Sequence, residues 1–553
     1  MGASAEMTPS DALVIVVPAL PMLAAAAIAV ARPDGERASR WGIRAAAAAF
    51  TAAVVVAVLV AVDGEVAAVV ERSDGDALFG LYASRVTALL GLLTTGVGLV
   101  VQSFASRNLQ GDLFARRFFV LASLLTSATT SVAFAATLGL LCASWIVAGL
   151  ALAALVTHRA TWQPARRSSR RTLRSLWVGD GALLVATLLA VVAVGEIDLR
   201  APVAAAEELA DVSIPVLGGN LLWVVAVLLT IAGISRSALV PVHQWLPATI
   251  AAPTPVSALL HAGVVNGAGV LLVRLAPVFG SSTTATHLAF AAGAATAWYA
   301  TTVMLVRSDV KGNLAWSTAG QMGFMTVQVA IGALAAALLH VVGHGMYKAA
   351  LFLGAGNAVT AHLRHGQRPP PHAVARSVRL AVALLVPAAA LWAAYLVIHP
   401  HLSTAARVLV TVFAWATAAR AVDGWLRSAP FRPVPAVATA AFGAAAGVFA
   451  YVGGLTAVET FVAPALPAEV AEPVSAALLV ATLAAIALVV AVVWLTPGER
   501  MRRLRSRVYA LVLTSAPVAS RLTTRGSSTG VAPVPESRQV RPDLELARST
   551  RSK

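Results

Sequence analysis

Apolar runs recur along the whole chain, each closed by a short polar or charged segment. They fall near 12–32, 43–62, 82–102, 117–137, 139–157, 176–195, 219–240, 252–275, 286–306, 313–330, 332–358, 377–397, 405–422, 436–454 and 474–495. At about twenty residues each, such runs span a hydrocarbon core as helices rising 1.5 Å per residue. A transmembrane barrel would show short strands of alternating polarity, and none are evident. The pattern predicts an all-α polytopic membrane protein of about 14–15 spanning helices.

Composition agrees. The chain is 58% hydrophobic and only 12% charged, with a mean hydropathy of +0.80. Its formal net charge of +16 would suggest nucleic acid in a soluble protein. Here the basic residues sit between apolar runs, where positive-inside orientation and contact with anionic headgroups account for them. Taking the N-terminus as outside, the inward loops carry Arg32, Arg37, Arg40 and Arg44, then Arg107, Arg116 and Arg117, then Arg166, Arg167, Arg170, Arg171 and Arg174. The outward ones are acidic, with Asp63, Glu65, Glu71, Asp74 and Asp76, and later Glu196, Asp198, Glu207, Glu208 and Asp211. This predicts a multi-pass protein of the cell membrane, N-terminus outside and C-terminus cytoplasmic. No basic region precedes the first apolar run, so that run reads as an uncleaved helix. One cysteine, Cys142, excludes disulfides and Cys-ligated clusters. Residues 510–553, rich in Ser, Thr, Arg and Pro, are expected to be a disordered tail.

Lysine is used sparingly. It occurs only at Lys311, Lys348 and Lys553. Arginine serves wherever a fixed charge suffices, whereas a buried lysine can exchange its proton. The stretch "LLHVVGHGMYKAALFLGAG", Leu338 to Gly356, puts His340, His344 and Lys348 one helical turn apart, beside Tyr347. Three titratable groups on one stripe about 12 Å long make a candidate proton relay. A zinc pair at i and i+4 is the rival, without a third ligand in this segment. Two packing histidines are the plainest alternative.

A second constellation runs from Ser235 to Gly269, "SRSALVPVHQWLPATIAAPTPVSALLHAGVVNGAG". Pro241, Pro247, Pro253 and Pro255 predict broken backbone, tolerated at membrane depth where it lines a cavity, or else an ordinary proline-rich loop. Arg236, His243 and His261 surround it, with His261 inside the following helix. In "RSDVKGNLAWSTAGQMGF", Asp309 and Lys311 stand at a helix mouth and Gln321 lies deeper. Capping and positive-inside charge explain Asp309 and Lys311 as well as a functional role does. Asp180, at the start of the sixth span, has Arg171, Arg174 or a distant base as possible partners.

"HQWLPATIAAPTPVSALLHAGVVNGAGVLL" and "SDVKGNLAWSTAGQMGF" resemble the proton-translocating module of the antiporter-like subunits of respiratory complex I and of Mrp-type cation/proton antiporters. The resemblance covers roughly 85–360. It implies a bundle of about fourteen helices with two inverted five-helix repeats, each with a broken helix. Within that superfamily, "QMGFMTVQVAIGALAAALLHVVGHGMYKAALFL" and "SWIVAGLALAALVTH" resemble DabB, the membrane subunit of the energy-coupled inorganic carbon transporter. The resemblance implies an ion-translocating subunit, not an enzyme, which needs no cofactor and passes protons or Na⁺ down their gradient. It also implies a peripheral, zinc-containing, carbonic-anhydrase-like partner of the DabA type. By the same resemblance, His261, His340, His344 and Lys348 lie on the module's central polar axis. The implied organisation is two N-terminal helices over 1–80, the conducting module over 81–360, further helices over 361–509 and the tail. A cation/proton antiporter subunit or an NADH–quinone oxidoreductase subunit is the alternative. Complex I-type subunits pair a glutamate of the fifth span with a lysine of the seventh. The matching positions here are Ile146 and Arg236, and the twelfth span has no interior Lys or Glu. These departures favour a simplified conductor coupled to a different partner.

Overall fold

The computed structural model describes residues 9–71, 77–159, 161–215, 218–307, 309–357, 374–428, 432–466 and 474–495, with isolated positions between 503 and 510. The chain divides into two units, 1–515 and 516–553. The second unit, and with it nearly all of the expected disordered tail, lies outside the described residues.

The elements run in chain order as α1 Pro9–Ala31, α2 Gly35–Asp63, β1 Val66–Glu71, β2 Ala77–Ala83, α3 Arg85–Asn108, α4 Ala115–Phe134, α5 Leu138–Val156 and α6 Gln163–Val194. After these come α7 Pro202–Asp211, β3 Ser213–Ile214, β4 Gly219–Asn220, α8 Leu221–Arg236, α9 Trp245–Ala248, α10 Thr254–Ala262, α11 Gly267–Arg274 and α12 Ala276–Gly280. The rest are α13 Thr283–Val306, α14 Val310–Ala330, α15 Leu334–Gly354, α16 Arg376–Ile398, α17 Thr404–Ser428, α18 Pro433–Val462 and α19 Ala476–Leu495. Among the described residues, twelve helices are long and apolar enough to cross a membrane, counting α10 with α11 as one. The three other expected spans correspond to α8, α14 and α19.

Several boundaries differ from the expectation, each for a local reason. The arginine-rich stretch before residue 176 is helical, so α6 runs 32 residues from a proline in its first turn. Arginine is a good helix former and proline suits a first turn. Asp180 therefore lies inside a helix, not at its mouth. Pro241 and Pro247 lie in the connection between α8 and α10, Pro253 caps α10 and Pro255 stands in its first turn, while the interruption within the span is the 3-10 turn Val264–Asn266. The acidic segment after α2 forms an antiparallel hairpin of β1 and β2 that apolar-run counting cannot register.

Backbone bonds gather the polar connections at two ends. At one end the amide of Ala136 donates to Gly80 and that of Leu199 to Ala136, and the Tyr82 hydroxyl donates to the Leu199 carbonyl. Arg200 ties Asp198 and Glu71 together there, both at 2.7 Å. At the other end Arg117 donates to the carbonyls of Ala154 and Thr157 at the end of α5, and Arg116 to that of Arg32. The acidic segments thus collect at the first end and the basic ones at the second.

Small residues set the closest helix approach. A Cβ on Gly293 of α13 would meet the carbonyl oxygen of Gly323 on α14, and one on Gly323 would meet that of Gly293. Backbone-to-backbone contact of this kind gains dispersion energy that lipid cannot supply.

Arg274 ends α11 buried, with its guanidinium donating to the carbonyls of Val132 at 2.8 Å and Ala135 at 2.5 Å. It thereby satisfies the C-terminal carbonyls of α4, which have no partner within their own helix. Arg274→Met keeps the stem but strands both oxygens. We expect it to lower unfolding stability by about 3 kcal/mol, read as a fall in the thermal midpoint of the detergent-purified protein.

Candidate functional site

The candidate site is a line of polar side chains through the helices around the break in the eighth span. It begins at an ion pair. Arg236, the last residue of α8, donates from Nη2 to Asp180 Oδ1 on α6 at 2.7 Å. The same nitrogen donates to the Trp145 carbonyl at 2.9 Å, and the Trp145 indole donates to Asp180 Oδ1 at 3.1 Å. The guanidinium carbon lies 4.4 Å from the centre of the Trp145 ring. The partner of Asp180 is thus the distant base, not Arg171 or Arg174. Two glycines make room for it. A Cβ on Gly267 would collide with Arg236 and Trp145, and one on Gly149 would crowd Arg236 Nη2 and Asp180 Oδ2. Ile146 follows Trp145 in α5, and the carboxylate beside Trp145 comes from α6.

Beside the pair is a cavity of about 50 Å³ walled by Leu90, Thr94, Thr129, Trp145, Arg236 and Asn266. That is room for about three waters. Asn266, the last residue of the interruption, is anchored by its own amide donating to the Ala262 carbonyl at 2.8 Å. Its Oδ1 lies 3.2 Å from His344 Nδ1. Four residues earlier, His340 Nδ1 lies 2.9 Å from Gln328 Oε1 on α14. An amide oxygen only accepts, so each Nδ1 is assigned the proton and each Nε2 a free lone pair. The Nε2 of His344 is buried and has no partner among the described residues. The two ring centroids stand 6.0 Å apart, edge to face.

Lys348 is 1% exposed. Its Nζ donates to Ser317 Oγ on α14 at 2.6 Å, and Ser317 in turn donates to the Leu314 carbonyl. Among the described residues no carboxylate lies within ion-pair distance of this amine. His261 closes the last turn of α10, stacked on Phe352 at 4.2 Å. Its Nδ1 is buried and has no partner among the described residues. The structure therefore places His261, His344 and Lys348 in the packed interior, with His340 half-buried beside them. Tyr347 is exposed, with its ring centroid 5.9 Å from Lys348 Nζ.

The remaining candidates separate from this line. Asp309 caps α14, accepting from the Gly312 amide at 2.7 Å, and pairs with Arg307 at 3.0 Å. Lys311 donates to the Ala252 carbonyl at 3.1 Å, tying α14 to the segment before α10. Gln321 leaves its Oε1 buried and without a partner among the described residues. His243 packs in an aromatic group with Tyr299 and Trp316. Reading the sequence alone missed Asn266, Gln328 and Ser317. An amide inside the apolar run around Gln328 and one at the glycine-flanked Asn266 were the available signals. Nothing marked Ser317.

Three comparisons bear on this arrangement. The family described as "NADH:quinone oxidoreductase/Mrp antiporter, TM" matches residues 135–418, and the chain belongs to it. The probable inorganic carbon transporter subunit DabB1 of Halothiobacillus neapolitanus is 32% identical over 354 residues, 64% of this chain and 63% of that protein. The chloroplastic NAD(P)H-quinone oxidoreductase subunit 5 of Nephroselmis olivacea is 32% identical over 292 residues, 52% of this chain and 44% of that protein. The chain thus spans less than two thirds of the length of these curated relatives. Among solved structures, the Mrp complex from Dietzia sp. DQ12-45-1b matches with a TM-score of 0.56 and 23% identity, over 95% of this chain and 64% of that one. That likeness establishes the antiporter-like helical fold.

Breaking the Asp180–Arg236 pair from one side leaves a buried charge unpaired. Asp180→Ala is expected to cost about 3–5 kcal/mol of stability. The double variant Asp180→Ala/Arg236→Leu should recover most of it. Thermal unfolding in detergent, followed by tryptophan fluorescence, compares the two.

Proposed function

From the family and the polar line we propose that this chain is the ion-conducting membrane subunit of an energy-coupled inorganic carbon pump. Protons, or Na⁺, pass down their gradient through it and drive a carbonic-anhydrase-like, zinc-containing partner. The similarity to proteins named as inorganic carbon transporter subunits supports this reading. The chain sits in the cell membrane, N-terminus outside and C-terminus in the cytoplasm, as its loop charges favour.

One observation carries the conducting role. Lys348 is a buried amine held by a neutral hydroxyl, with no carboxylate in ion-pair reach among the described residues. A lone ammonium at membrane depth is costly, and such groups mark ion pathways. A lysine relieves that cost by passing its proton on, which arginine effectively cannot do. The path we assign runs from the Asp180–Arg236 pair, across the small cavity, to Asn266 and His344, then to His340 and Gln328. Water links the two rings, whose centroids are 6.0 Å apart. His261 and Lys348 hold protons beside it. Arg236 cannot exchange a proton usefully, so it works as a fixed charge beside Asp180. Asp309, Lys311 and Gln321 stand at the margin, where Asp309 and Lys311 order the entrance.

The similarity to a quinone oxidoreductase subunit keeps a second reading open, a proton-translocating subunit of a redox or antiport complex. Co-expression with a carbonic-anhydrase-like partner in a strain that requires high CO2 separates the two. Growth in air supports carbon uptake, and Na⁺/H⁺ exchange in vesicles without such growth overturns it. In the same strain, Lys348→Ala and Lys348→Arg are both expected to abolish rescue while the protein still inserts in the membrane. Full rescue by Lys348→Ala excludes the relay. Normal activity of Lys348→Arg means that only a fixed charge is needed.

A further inference from the structure

Away from the polar line, α17 and α18 leave an open groove of about 790 Å³ between them. Phe413, Val448 and Tyr451 line one end and Trp425 and Thr439 the other. Its floor is small, with Ala418, Gly443 and Gly447 among the lining residues. The groove follows α17 from Phe413 to Trp425, twelve residues, or about 18 Å at 1.5 Å each. Its walls are two helices that meet the length and hydropathy of membrane spans, and the lining residues Thr417, Trp425, Thr439, Gly443 and Gly447 are exposed, so hydrocarbon is the medium it faces.

The Trp425 end is strongly basic. Arg379 and Arg427 both pair with Asp423, at 2.7 and 2.6 Å. Arg376, Arg420 and Arg432 are also exposed here, and among the described residues none of their side chains has a hydrogen bond or ion pair. Five arginines thus meet a single acid. Arg432 stands at the cap of α18. Arg420 is three residues from Thr417, a lining residue, and two turns inside the span. An unpaired guanidinium at that depth is costly unless it finds an anion or reaches the headgroup layer. Trp425, whose indole donates to Thr439 at 3.3 Å, sits at the level where interfacial aromatics collect.

We propose that the groove seats one acyl chain of an anionic phospholipid, with its phosphate held by Arg432 and Arg420. An apolar slot the length of an alkyl tail, open to the bilayer and ending in uncompensated guanidinium groups, matches that ligand in shape and charge. The site also touches the candidate ion path. Phe413 stacks on Phe324 at 4.3 Å, and Phe324 lies 5.6 Å from the His340 ring. A bound tail therefore packs against the aromatic wall behind His340.

Native mass spectrometry of the detergent-purified full chain, titrated with phosphatidylglycerol and with phosphatidylcholine, tests this. One phosphatidylglycerol is expected to be retained in preference to phosphatidylcholine. In Arg420→Gln/Arg432→Gln that preference should fall by about fivefold per arginine. Gly443→Leu should weaken both lipids by filling the slot. A Cβ at Gly443 meets nothing within 4 Å, so the substitution leaves the helix pair intact. Equal retention of the two lipids by the unaltered chain overturns the proposal, as does a preference that survives the arginine double variant. If Gly443→Leu releases a co-purifying membrane subunit while lipid retention is unchanged, the groove belongs to a protein helix and the lipid assignment fails.

Discussion

A guanidinium locked against a carboxylate in a packed, water-poor interior sets the terms for everything around it. Arg236 and Asp180 stabilise the site only as a pair, because either charge alone is expensive to bury. Keeping them together requires α5, α6 and α8 to converge, requires the Trp145 ring as a lid, and requires glycine at positions 149 and 267. The cavity beside Arg236 follows from that packing. So does the position of the helix interruption, whose last residue, Asn266, turns toward His344. The geometry of the polar line is thus a consequence of where one ion pair can be tolerated.

At this pair the acid comes from α6 and the base from α8, and the guanidinium is in effect permanently charged. Beyond the cavity lie His261, His340, His344 and Lys348. Each of those histidines and the lysine is ordered by a neutral partner: Phe352, Gln328, Asn266 or Ser317. Neutral partners orient a titratable group without fixing its charge, whereas a carboxylate would favour one state strongly.

Much of the architecture was legible in the residues because the bilayer imposes a length on every span. The fifteen apolar runs correspond to helices, and the one-turn spacing of His340, His344 and Lys348 put them on one stripe of α15. Arginine within the helical part of α6 was not legible, since the apolar criterion ends a span where charge begins. The position of the break was misread because proline is conspicuous, while the interruption at Val264–Asn266 contains none. Partners across helices were the least accessible. No local pattern connects Asp180 with Arg236, 56 residues away, or Lys348 with Ser317, 31 residues away. Such pairs are created by packing, which periodicity does not encode.

The unbroken α6 has a mechanical corollary. Its first half presents Arg166, Arg167, Arg170, Arg171 and Arg174 to the exterior, and its second half carries Asp180. Arg170 and Asp180 are separated by ten residues of continuous helix, about 15 Å. Between Arg166 and Gly179 the rod holds no glycine or proline, so whatever grips the arginines also holds the carboxylate. A tug or twist at the water-facing surface arrives at the buried charge as rigid-body motion, with no linkage in between to absorb it.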